Sequence, residues 1–259
     1  YDDVMNSQRE VIYTKRRHAL MGERIGVDIV NMYDDIISNL VSESGYDSTY
    51  LNSELMTYCA IESPFDESEL QSKKESEIAD ELFSLAIASF KRKVDRLAEV
   101  ANPVIKQVYE KQGDMYEKIL VPITDGRRGF NIPVNLKLAY ETESKALVTE
   151  LEKAVLLLSI DEVWKEHLRE LDELRHSVQN ATYEQKDPLL IYKLESFNLF
   201  RTMIDTMNKK VVSVLSRAQI LQREPDQVKE AAPQAPRTDY GNMRMGRSEN
   251  ISNRREQHI

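Results

Sequence analysis

Four histidines, one cysteine and 44 carboxylates are the side chains here that could move protons, attack a carbonyl or hold a metal. His167 and His176 stand nine residues apart, while His18 and His258 lie near opposite ends. Two ligands on one helix face need a spacing of three or four, so no metal site is expected and each histidine reads as a surface or packing residue. Cys59, in "LMTYCAIES", reads as a small buried hydrophobe rather than a nucleophile. Neighbouring carboxylates such as Asp34 with Asp35, or Asp172 with Glu173, do not face each other on a helix. The glycine pair of "MGERIGV", Gly22 and Gly26, lacks the lysine of a phosphate loop. No G-x-G-x-x-G and no G-x-S-x-G occurs either. These residue types therefore predict no catalytic, nucleotide or metal site in this chain, and no cofactor of its own.

Composition narrows the classes further. A net charge of -9 argues against a nucleic-acid-binding face. The basic runs "TKRRH" at 14–18 and "KRK" at 91–93 read as solvated helix faces. Charged residues make up 31% of the chain, with 8 Gly and 8 Pro among 259 residues, which favours a helical protein with a charged surface. A lone cysteine makes no internal disulfide and no multi-cysteine zinc site, as expected in a reducing compartment. The polar start shows no signal peptide, and no apolar run nears the ~20 residues of a membrane span. The chain begins at Tyr1 without a methionine and reads as a piece of something larger.

The elements that must position these residues are mostly helices. Residues 1–21 hold no Gly or Pro, and Val4, Gln8, Val11, Ile12, Lys15 and Ala19 loosely follow one face. The spacing predicts further helices over 27–42, 50–60 and 70–100. Pro103 and Gly113 suit the start and end of another. "KILVPITDGRRGFNIPVNL", residues 118–136, predicts a single β-hairpin around "TDGRRG". Pro122 and Pro133 should confine it to a small, edge-like ribbon. From 137 to 178, Leu157, Ile160, Trp164, Leu168, Leu171, Leu174 and Val178 recur at 3 or 4. Asp187 then Pro188 marks the next helix start. Leu194, Phe197, Phe200, Ile204, Met207, Val211, Val214 and Ala218 repeat the spacing. Two such stripes joined by a short polar loop make a long antiparallel helical hairpin. Trp164 reads as a packing anchor or as a docking point for a separate domain. Residues from about 222 on are proline-containing and poor in aliphatics, the composition of a disordered tail.

One block of this hairpin carries a specific resemblance. "SIDEVWKEHLRELDELRHSV" followed by "YEQKDPLLIYKLESFNLF" resembles the C-terminal helical part of SecA, the ATPase motor of bacterial protein export. That family has W-K-E-H-L, then a loop tyrosine before Q-K-D-P, then Y-K-x-E-S-F-x-x-F. The match runs through Trp164 to Leu168, Tyr183, Gln185 to Pro188, Tyr192, Lys193, Glu195 to Phe197, and Phe200. "YDDVMNSQREVIYTKRR" also resembles the end of the family's long scaffold helix. Two departures stand out: Ala181 and Thr182 replace a basic residue and glycine, and the 118–136 hairpin has no place in the common pattern.

The resemblance implies a mostly α fold with a long two-helix hairpin and a helical wing domain, to which the residue patterns themselves add one small β-hairpin and a disordered C-terminal tail. Residues 1–26 would end the scaffold helix, 27–150 form the wing, 151–220 the two-helix finger and 221–259 a linker. It implies that Tyr183, with Thr182, Gln185 and Lys186, forms a finger tip touching the exported polypeptide. Trp164, His167, Leu168, Tyr192, Phe197 and Phe200 would pack or dock the finger. ATP and Mg would belong to motor domains upstream. The implied partners are those domains in cis, the SecY channel complex, unfolded preprotein and an anionic membrane surface, with no nucleic acid. The place would be the cytoplasm, peripheral at the inner membrane. Taken without the resemblance, the same pattern suits a free-standing helical adaptor that binds partner helices. A piece parted from its neighbours should expose apolar surface on residues 1–21 and on the hairpin.

Overall fold

A computed structural model describes residues 1–178, 187–221 and 229–230. Eight helices and four short strands occur among them. In chain order these are α1 Asp2–Met21, α2 Ile25–Ser44, α3 Ser48–Tyr58, α4 Glu67–Ser72 and α5 Glu75–Gln112. Then come β1 Lys118–Thr124, β2 Gly129–Asn135, α6 Leu136–Glu141, α7 Lys145–Ser177, α8 Pro188–Arg217, β3 Gln219–Ile220 and β4 Lys229–Glu230.

Local chemistry sets most boundaries. Gly22 ends α1 in the left-handed region, at φ 75°. Asp47 accepts from Tyr50 N to cap α3, and Asp66 with Glu69 forms a capping box on α4. Asp187 accepts from Leu189 N to cap α8, with Pro188 at the first helical position. In the β1–β2 turn, Asp125 Oδ1 accepts from Arg127 N and Arg128 N at 2.8 and 2.6 Å, and Gly126 supplies φ 88°.

The α7–α8 hairpin is the spine of the fold. With 33 and 30 residues, its arms reach ~50 and ~45 Å. Helix α2 lays Ile29, Met32, Tyr33, Ile36, Ile37 and Leu40 into the core against α5 and α8. Tyr33 Oη meets Ser216 Oγ at 2.6 Å, and its ring lies 5.4 Å from Phe90 of α5. Tyr109 of α5 stacks on Tyr140 of α6 at 4.3 Å. The core runs unbroken from Ile12 to Ala218. Arg128 of the strand turn and Lys210 of α8 both reach Glu162 of α7, at 3.4 and 3.2 Å, tying the sheet to the hairpin.

Three local expectations are corrected. Pro103 starts no helix: α5 runs through it for 38 residues. Pro103 and Glu99, whose carbonyl loses its helical donor, are both exposed, so water replaces the missing bond. The pattern over 137–178 is broken, because Glu143 and Ser144 take φ 50° and 70° between α6 and α7. Thr142 Oγ1 accepts from Ala146 N and donates to Leu138 O there, bridging the gap.

Half of the β ribbon also departs from the edge: β2 is the edge strand expected for Pro133, but β1 with Pro122 is central. β2 pairs along the whole of β1, and β3 and β4 pair with its other edge, all antiparallel. Glu117 and Asp125 bond across to the β2 side. The alternation therefore turns Pro122 of β1, and Pro133 of β2, away from the β1–β2 ladder. Pro122 still accepts from Leu221 N at 3.0 Å. The expected tail lies outside the described residues except for Leu221 and β4.

Ser144 carries two costs in one residue: a left-handed backbone and a fully buried hydroxyl with no partner among the described residues. Ser144→Gly removes both and should raise stability by about 0.5–1 kcal/mol. Thermal or urea melting of the two chains checks it, with a higher midpoint expected for glycine.

Candidate functional site

The junction where α1 crosses the α7–α8 hairpin sets a buried polar contact between two ion pairs that reach solvent. Asp2 lies 4.0 Å from Arg175, Gln8 meets His167, and Arg16 forks onto Asp161 at 2.9 and 3.3 Å. Rising numbers on α1 meet falling numbers on α7, so the two run antiparallel. At the end nearest the hairpin loop, Tyr1 sets its ring edge-on to Tyr192 at 4.5 Å, with the Arg175 guanidinium 5.5 Å from it. Leu171, Val178 and Tyr192 form a second small core there, with Val4, Met5 and Leu174 packed on it.

At the centre sits one chain of hydrogen bonds through three helices. Gln8 of α1 is 8% exposed, and His167 of α7 is 1% exposed. Gln8 Nε2 donates to Ser196 O of α8 at 3.1 Å. A carbonyl can only accept, so this bond orients the amide. Gln8 Oε1 then faces His167 Nε2 at 2.8 Å, and His167 donates from Nε2. Its Nδ1 is left bare, buried and without a partner among the described residues. The ring lies 5.5 Å from Trp164 and 5.7 Å from Phe200, an aromatic wall that keeps water out. Burial pushes the imidazole down to about 4, because a cation there would be desolvated.

The expected packing residues divide. Trp164, His167 and Tyr192 are buried, and Leu168 and Phe200 are partly buried against the core. Phe197 is 63% exposed and Leu194 59% exposed, so the apolar repeat leaves the core in the first third of α8. With Leu190 they form an outward stripe at spacings of four and three. Val11, Tyr13 and Met21 of α1 are exposed as well. The expected tip residues Thr182, Tyr183, Gln185 and Lys186 lie outside the described residues.

Gln8 has only a faint signal in the sequence. It stands at i+4 from Val4 and i−4 from Ile12, on a face that also holds Lys15. Away from the junction on α7, burial raises the Glu152 carboxyl to about 7, and nothing in the sequence signals it. Among the described residues the junction pairs a neutral imidazole with a side-chain amide, an arrangement suited to holding helices together.

His167 makes stability depend on pH. Its unfolded value is ~6.5, so between that and about 4 the unfolded chain binds a proton that the folded chain refuses. Stability should fall as pH drops through this window, by up to about 3 kcal/mol. Glu152, raised on folding, works in the opposite direction between pH ~4.5 and 7, so the effect belongs to a difference. Denaturant melts of the parent and His167→Gln from pH 4 to 7 should show the gap narrowing as pH falls.

Comparisons with known proteins bear on the same residues. A family model described as the SecA Wing and Scaffold domain matches residues 1–219. The protein translocase subunit SecA of Phocaeicola vulgatus is 59% identical over 93% of this chain. That of Bacteroides fragilis is 55% identical over 99%, and that of Flavobacterium psychrophilum 41% over 93%. The chain spans about a fifth of these relatives' length: 22%, 23% and 22%. On the strength of the matched residues and the helices they build, this chain belongs to the SecA wing and scaffold family.

Proposed function

We propose that this chain is the force-transmitting part of a protein-export motor. Its α1 finishes the scaffold helix, the stretch to about 150 is the wing, and α7–α8 is the finger. The residues from 221 on form the linker. The observation that carries this reading is the three-helix junction. One side chain of α1 is bonded to both arms of the hairpin, and ion pairs flank it at Asp2 and Arg16. A displacement of α1 therefore moves both arms together, and a ~45–50 Å hairpin of packed helices carries that motion to its tip.

The whole protein would hydrolyse ATP with Mg in motor domains upstream, and the finger would restrain turnover when no substrate is engaged. Its partners would be those domains, the SecY channel complex, unfolded preprotein and an anionic membrane surface. The motor would work in the cytoplasm, at the inner membrane. No described helix is long and apolar enough to cross a membrane, which fits a peripheral role. Tyr183 would be the tip contact: an amphipathic ring touches varied polypeptide without demanding a sequence. The outward stripe Leu190, Leu194 and Phe197 favours a second reading, an adaptor that binds a partner helix.

A crosslink separates the two. In the full-length protein with Cys59 replaced, a cysteine is placed at Tyr183 and a cysteine-bearing preprotein is stalled during export. A disulfide should form from position 183 and not from Asn198, which lies ~15 Å further down α8 from Pro188. No product from 183, with export intact, would leave the hairpin as scaffold and count against the tip role.

A further inference from the structure

Gln8 is the one polar side chain that α1 buries; its other buried residues are Ile12 and Ala19. One helical turn away on either side stand Val4, Met5, Val11 and Ile12, all apolar. If α1 slides by a turn in either direction, an aliphatic group meets His167. The buried Nε2–H then loses its acceptor, and the imidazole has no donor or acceptor satisfied, since Nδ1 is already bare. The other contacts of α1 discriminate less. Val4, Met5 and Ala19 present aliphatic surface that buries in neighbouring registers too. Arg16 and Asp161 are 25% and 51% exposed, and Asp2 and Arg175 more so, so these long side chains can follow a sliding helix.

We infer that Gln8 is a positioning residue: its amide fixes the axial register of α1 against the α7–α8 hairpin. The apolar contacts hold the helix on, and the amide admits one position along it, as a single buried polar residue does in helical coiled coils. The inference stands on the geometry of this chain. It deepens the coupling role proposed above, and rests on that reading only for its export readout. A finger driven by α1 needs a fixed register, because one turn of slip misplaces the tip by ~5 Å.

The test uses the 259-residue chain with Cys59→Ala and spin labels on cysteines at Thr14 and Glu173, two exposed positions on α1 and α7. The pair Gln8→Met with His167→Phe removes both polar ends while keeping volume. Double electron–electron resonance should give one narrow distance for the parent. For the double variant it should give a split or broadened distribution reaching ~5 Å away, with a melting midpoint close to the parent's. A single narrow distance at the parental value overturns the inference, because packing and ion pairs then set the register. Should the double variant fail to fold, Gln8→Met alone is read the same way, and a single parental distance again overturns it. In the full-length protein the double variant should translocate several-fold less preprotein per ATP. A split distance with undiminished export keeps the register role and removes the coupling role.

Discussion

A buried amide must be bonded at both ends or it destabilises the fold that buries it. Gln8 meets that requirement only when three helices are in place at once, since one partner is a side chain on α7 and the other a backbone carbonyl on α8. Much else at the junction follows from this. The carbonyl orients the amide, the amide selects the tautomer of His167, and the aromatic pair Trp164 and Phe200 encloses the ring. His167 stays neutral because nothing there stabilises a cation. The bare Nδ1 is the one cost left standing. It is tolerated because apolar burial along α7 and α8 supplies the bulk of the stability.

The helical skeleton was legible because 3.6-residue periodicity and end chemistry are local. Asp187 with Pro188 marks the start of α8, and "TDGRRG" places the strand turn. Apart from the left-handed break at Glu143 and Ser144, the misreadings share one cause: each depended on which way a group faces once folded. Pro103 is harmless in α5 because the carbonyl it orphans faces water. Pro122 is harmless in a central strand because its ring points away from β2. Phe197 fits the apolar spacing of α8, yet nothing among the described residues covers that side. Gln8 shares one face of α1 with Val4 and Ile12, but its partners lie 159 and 188 residues away. No pattern in one helix could name them.

These facts give the family assignment a physical content. The family description names domains, whereas a shared core and a polar clasp say how the helices of this chain are joined. Helices α2 and α5 share one core with the hairpin: Tyr33 reaches Ser216, and Asn208 donates to Asp35 at 3.2 Å. The outward stripe on α8 is the apolar surface this arrangement leaves uncovered, as expected of a piece that spans about a fifth of its relatives.

The central claim is that α1 and the hairpin arms move as one body. Native-state hydrogen exchange measures this directly, amide by amide, as the free energy of opening. The account predicts that the amides of α1 around Gln8 to Ala19 open with the same free energy as those of α7 around Ile160 to Leu171. If α1 instead exchanges orders of magnitude faster while α7 stays protected, the helix is loosely attached and cannot drive the finger.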